Sequence, residues 1–304
     1  MDSTIWPAIP LAAWKDTCET LQLWTQIVGK TRLKLSPKLN HWWGASFYVC
    51  PRGLTTSAIP YGNRQFEIEF DFIEHALLIR TDSGEERAMA LAPRSVADFY
   101  AEYLDLMKSL QIEVKINPLP NEIPNPIRFG DDKVHASYDR EYAHRYWRAL
   151  LQADRLMKEF RAGFVGKSSP VQFFWGSFDL ACTRFSGRRA PARAGADSIT
   201  TEAYSHEVYS CGFWAGSGSV QEAAFYAYAA PEPEGFSSSH VLPHGTSYNS
   251  GTKGFILPYE TVRHSSDPDR VVLAFFESTY QAAARLGKWD RASLERAFEA
   301  TKAA

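Results

Sequence analysis

Residues 39–52 read LNHWWGASFYVCPR and residues 171–184 read VQFFWGSFDLACTR. Aligned at an offset of 132 (175 minus 43), Trp43 meets Trp175, Gly44 meets Gly176, Cys50 meets Cys182 and Arg52 meets Arg184. The chain holds only nine Trp and four Cys in 304 residues, so the coincidence of both in one register points to an internal repeat. Val28-Gly29-Lys30 and Ser36-Pro37 lie ahead of the first stretch, as Val165-Gly166-Lys167 and Ser169-Pro170 lie ahead of the second.

Working outward, each stretch sits between helical patterns. Leu11, Trp14, Cys18, Leu21 and Val28 form an apolar stripe, predicting a helix over Leu11–Val28 with Gly29 as its stop. Strands are expected from Trp42 to about Leu91. Phe66, Ile68, Phe70 and Phe72 alternate there with Glu67, Glu69 and Asp71, which are expected to face water. Asp82-Ser83-Gly84 reads as a hairpin turn. Ser95 followed by Asp98 opens a second helix. Residues 117–133 hold Pro118, Pro120, Pro124 and Pro126 and read as a linker.

After the linker a helix over 140–163 is capped by Asp139. Strands are expected over 171–185, 204–214 and 223–229, with long loops over 188–196 and 231–254. Asp267-Pro268 opens a helix to Leu286, and a last helix spans 291–302. The fold expected is α+β, because the strands follow one another without helical crossovers: two similar halves, each a mainly antiparallel sheet covered by helices. The boundaries are 1–116 for the first repeat, 117–133 for the linker and 134–304 for the second repeat with C-terminal helices, packed as one body.

Thirty-three basic against 35 acidic side chains leave a net charge of −2, which recommends neither nucleic acid nor a membrane surface as partner. No apolar run reaches the roughly 18 residues of a membrane span, and the N-terminus lacks a signal-peptide pattern. The four Cys form no CxxC pair and read as reduced thiols of a cytoplasmic protein. Aromatics reach 14%, which fits a well-filled core and also an aromatic-lined pocket.

The differences between the two stretches suggest where chemistry sits. In the alignment His41 faces Phe173 and Phe47 faces Asp179, so each copy carries one ionisable group where the other has Phe. Two copies about a pseudo-twofold axis would share a cleft with His41 as acid/base, Asp179 as its orienter, and Trp43 and Trp175 as walls. Arg184, Arg188 and Lys167 form a positive cluster suited to holding an anion. The bland alternative pairs Asp179 with Arg184 or Arg188 and leaves His41 a satisfied core histidine. His135, His206 and Glu207 are further candidates. His240 and His244 have H-x3-H spacing but sit in a loop, so no metal site is assigned and no cofactor is named. The function expected is an enzyme acting on a small anionic molecule. The alternative is a non-catalytic binding or interaction protein using the same cleft, with a small-molecule ligand in either case and the oligomeric state open.

The stretches WTQIVGK (24–30), NHWWG (40–44), RGLTTS (52–57), APRSVADFY (92–100), VHASYD (134–139), FFWGSFDLA (173–181), RFSGRRAP (184–191) and YSHEV (204–208) resemble a bacterial family of domains of unknown function. The resemblance runs from Trp6 to about Leu286 and implies a full-length bacterial protein. It supplies no activity, cofactor or catalytic residue.

Overall fold

A computed structural model describes residues 5–296. Its elements in chain order begin with α1 (Leu11–Leu35), β1 (Tyr48–Cys50), β2 (Gly53–Thr55), β3 (Ile59–Tyr61), β4 (Arg64–Asp71), β5 (Ala76–Thr81), β6 (Glu86–Ala90), α2 (Val96–Ser109) and α3 (Arg140–Ala162). They continue with β7 (Gln172–Phe174), β8 (Asp179–Arg189), α4 (Ser198–Ala203), β9 (His206–Trp214), β10 (Ala224–Ala230), β11 (Ser247–Asn249), β12 (Gly254–Pro258), α5 (Tyr259–Arg263), α6 (Pro268–Leu286) and α7 (Arg291–Leu294). The fold is α+β with two antiparallel six-stranded sheets. One runs β1-β2-β4-β5-β6 with β3 on β4, the other β11-β12-β10-β9-β8-β7.

The chain divides into two compact units. The first holds Met1–Gln152, Gln172–Leu180 and Ala215–Ala223; the second holds Ala153–Val171, Ala181–Trp214 and Ala224–Ala304. In the first unit the alternation of β4 sends Phe66, Ile68 and Phe70 to one buried face, where Leu54 lies opposite Phe70 and Ile79 opposite Ile68. The Trp24 ring of α1 stacks on Phe99 of α2 at 4.7 Å, and the Tyr103 hydroxyl donates to Thr31 Oγ1 at 2.7 Å. The capping of α2 is as expected, with Asp98 N–H on Ser95 Oγ at 3.1 Å. The second unit is filled by rings. Tyr209 meets Tyr280 at 5.5 Å, Phe160 meets Phe276 at 5.5 Å, and the Tyr209 hydroxyl donates to the Phe276 carbonyl at 3.0 Å.

Several expectations are corrected. Gly29 does not stop α1, which runs six residues further to Leu35. The acidic face of β4 is not wet throughout: Glu69 and Asp71 are buried. Their charges are compensated, Arg80 donating to Glu69 at 2.7 Å and Arg52 to Asp71 at 2.6 Å. Burial works against the Asp71 carboxylate, but the Glu74 N–H, the Arg52 guanidinium and the Ile73 N–H outweigh it and hold its carboxyl below the ordinary range. No strand begins at Trp42; residues Asn40–Trp42 form a 3-10 turn. The expected loop over 231–254 contains β11, and β12 follows it. The last helix ends at Leu294, where Glu295 takes extended backbone, and the expected continuation over 297–302 lies outside the described residues.

Candidate functional site

The site grows from α1, a helix that breaks the ordinary division between wet and dry faces. A surface helix carries one apolar stripe. Yet α1 also buries Thr17, Thr20, Thr25, Gln26, Lys30, Thr31 and Arg32. Gln22, Gln26, Gly29 and Lys30 fall at i, i+4, i+7 and i+8 and so share one face. Each meets one of two chain segments, 175–176 or Asn121. Gln22 donates to the Gly176 carbonyl at 2.6 Å. Gln26 exchanges two bonds with the Asn121 backbone, donating to its carbonyl at 2.9 Å and accepting from its N–H at 2.8 Å. Lys30 donates to the Asn121 side-chain oxygen. A Cβ on Gly29 would collide with the Trp175 ring. Gly29 is therefore a close-approach glycine inside a helix. The indole it admits is fixed by its Nε1, which donates to the Ala45 carbonyl at 2.8 Å.

The second component is a pair of turns. His41 and Trp42 both have left-handed backbone, at φ 55° and 62°, and Phe178 does at 59°. Left-handed backbone costs non-glycine residues strain that persists where surroundings over-determine it, often at functional sites. It also breaks the period of two, so residues 41–47 and 173–179 do not each share one strand face as the sequence suggested. Between these turns the Phe47 N–H donates to the Phe173 carbonyl and the Phe173 N–H to the Phe47 carbonyl, each at 2.8 Å. Gln172 donates to the Trp43 carbonyl at 3.0 Å. His41 is buried, with its ring 5.3 Å from that of Trp43.

The third component is a pair of carboxyl groups. Asp179 opens β8, is 7% exposed and accepts from the Ser177 hydroxyl at 2.5 Å. Glu122, itself left-handed at φ 57°, brings its carboxyl against Gly176, where a Cβ would stand 2.5 Å from Oε1. Desolvation and then the charge of Asp179 push the Glu122 carboxyl above its ordinary value. Two carboxyl groups within each other's field are a recurring basis for acid–base division of labour.

Cations complete the set. Lys30 is 5% exposed, and desolvation brings its ammonium down to about 8. Arg32 is equally buried; its Nη1 donates to Ser57 Oγ at 3.1 Å, its Cζ lies 5.7 Å from the Tyr48 ring, and its Nε has no partner among the described residues. The Tyr48 hydroxyl is 3.5 Å from Gln172 Nε2, and Gln172 Oε1 is also buried without a partner among the described residues.

The first unit thus holds His41, Trp43, Trp175 and Asp179. Trp175 is packed rather than open, and Trp43 is partly exposed. His135, in the same unit, bonds Asp132 Oδ2 through Nδ1 at 2.8 Å, and its carbonyl accepts from Val96 N–H, which ties the linker end to α2. Arg184, Arg188, Lys167, His206 and Glu207 belong to the second unit. Arg184 is buried there: its guanidinium donates to the Phe160 carbonyl and lies 3.4 Å from the Phe160 ring centre and 4.3 Å from that of Tyr280. Arg188 donates to Glu207 Oε2 at 2.6 Å and to the Lys288 carbonyl at 2.8 Å. Lys167 lies 5.0 Å from the Phe185 ring, and His206 Nδ1 is 3.0 Å from Ser205 Oγ. Among the described residues no three His, Cys, Asp or Glu side chains form a metal-holding group. All four cysteines are free.

Sequence reasoning missed Lys30, Arg32, Gln26, Asn121 and Glu122. A signal for the first three was present: Gln26, Lys30 and Arg32 crowd the C-terminal half of a helix whose apolar stripe is already complete. Asn121 and Glu122 lay hidden in the proline-rich stretch read as a linker. Comparison with curated proteins and with solved structures gives no match for this chain. The profile of one family does match, over residues 6–296, and the chain belongs to it: the family of unknown function DUF5996.

Proposed function

We propose that this protein is an enzyme that performs acid–base chemistry on a small anionic organic molecule, at a site in the first unit. His41 transfers protons, Asp179 orients and charges it, and Arg32 Nε supplies the N–H that an anionic oxygen fills. This moves the anion-holding role to the first unit and away from Arg188, which is engaged by Glu207, and Arg184, whose guanidinium is packed against the Phe160 and Tyr280 rings.

The observation that carries the reading is the reciprocal bond pair between Phe47 and Phe173. We take the repeat at offset 132 as real: each half has a long helix ahead of a six-stranded antiparallel sheet and a further helix after it, although the strands are connected differently in the two. A twofold relation then maps the pair 47/173 onto the pair 179/41, since 47 + 132 is 179 and 173 − 132 is 41. The same relation would set His41 opposite Asp179 as the counterpart of the backbone-paired Phe47 and Phe173. The left-handed turn at 41–42 departs from the strand at Gln172–Phe174, and a functional histidine is a sufficient reason for one copy to depart. Four free thiols and the absence among the described residues of a membrane-length apolar helix suit a cytoplasmic setting.

The test is turnover of a metabolite mixture followed by mass spectrometry, with wild type and His41→Ala side by side. The expected result is a small anion consumed by wild type and spared by His41→Ala, which still binds it within about tenfold. Equal consumption by both proteins removes His41 from the chemistry. Binding without consumption by either one establishes the non-catalytic alternative.

A further inference from the structure

A buried lysine is costly unless its charge is matched, and a leucine or methionine fills the same space without that cost. Lys30 is buried in the first unit beneath the exposed Asn121, yet its hydrogen-bond partner is that residue's neutral amide and its ring neighbour is Trp175, at 5.9 Å. Neither brings a negative charge. The surroundings are held rather than mobile. Gln26 clamps the Asn121 backbone through two bonds, and Trp175 is wedged between Gly29 and the Ala45 carbonyl. An amine kept in place beside an aromatic face, without a carboxylate, is arranged as a nucleophile rather than as half of an ion pair.

We propose that the Lys30 amine is a covalent attachment point for a carbonyl-bearing anion, an oxo acid or an aldehyde acid, which it binds as an imine. The inference rests on the reading of the first unit as a site for small anions, and it names the class of molecule. The nitrogen lone pair attacks the carbonyl carbon, and a proton passes from nitrogen to the former carbonyl oxygen. A proton from solvent then lets that oxygen leave as water, so that C=N replaces C=O. The protonated imine carries the same single positive charge as the ammonium it replaces, beside the same indole face. Desolvation that brings the amine down to about 8 leaves a usable fraction unprotonated near neutral pH, unlike an exposed lysine.

The probe is glyoxylate with cyanoborohydride, applied to the whole wild-type chain over a range of pH. Hydride reduces the imine to a stable secondary amine, and peptide mapping by mass spectrometry locates the added carboxymethyl group. Lys15, 57% exposed on the same helix, is the internal reference. The expected result is modification of Lys30 at least tenfold faster than Lys15, rising to half its maximum near pH 8. Lys30→Arg, which keeps a cation for Asn121, is expected to lose that modification while folding normally. Labelling of Lys30 no faster than Lys15 overturns the proposal. The two readings separate cleanly. Metabolite turnover that depends on His41, with Lys30 unlabelled, refutes the imine alone. Labelled Lys30 with no turnover that depends on His41 refutes the acid–base reading alone.

Discussion

Glu122 is the residue whose chemistry is most directly set by its neighbours. The residue is exposed on its outer side, but its carboxyl is admitted to the Gly176 backbone because position 176 has no Cβ, and there it is partly desolvated and meets the field of Asp179. Both effects favour the protonated form, so the folded-state value lies above the unfolded one. The sign follows by linkage: folding is opposed by this group once the pH exceeds the ordinary carboxylate range, and not below it. Glu122→Gln is therefore expected to be more stable than wild type at pH 7 and indistinguishable from it near pH 3, as read by chemical denaturation at both values. A variant less stable at pH 7 would mean that the Glu122 carboxylate is stabilised by a partner. None of this was legible beforehand. A glutamate among four prolines reads as a solvated linker, and only the chain's return past Gly176 gives it a charged neighbour.

At the scale of elements, α1 organises the unit because its polar residues are inside. Its position was readable from Trp14, Cys18, Leu21 and Val28, and its end was not. Gly29 has two opposite readings in sequence, a left-handed terminator or a gap for a neighbour, and only the location of Trp175 decides between them. The distinction has a measurable consequence. In a free helix Gly→Ala gains about 1 kcal/mol. At Gly29 the added Cβ meets an indole that is 9% exposed and pinned by its Nε1, so it cannot give way. Overpacking costs about 1–3 kcal/mol and wins. Gly29→Ala is expected to lower stability by up to about 2 kcal/mol net in urea denaturation. A stabilised variant would show that the helix had only been weakened by its glycine. The acidic strand β4 teaches the same point: alternation told which side chains share a face, whereas the burial of Glu69 and Asp71 depended on Arg80 and Arg52 arriving from elsewhere in the sheet.

For the whole molecule, the α+β class and the antiparallel sheets were readable because hairpin turns and period-two runs are local signals. The assignment of segments to compact units was not, since Gln172–Leu180 and Ala215–Ala223 join the first unit from far along the chain. That return is what places Trp175 and Asp179 in the unit that also holds His41 and Lys30. The rare residues of the aligned stretches pointed at this region, where Phe47 and Phe173 exchange two backbone bonds. Across the chain the account stands on one proposed juxtaposition, His41 with Asp179. The most direct test is the NMR titration of the His41 ring in wild type and in Asp179→Asn. A neighbouring carboxylate favours the imidazolium, so its neutralisation is expected to lower the His41 value by about one unit or more. An unchanged His41 titration in the variant would contradict the pairing, and with it the acid–base site.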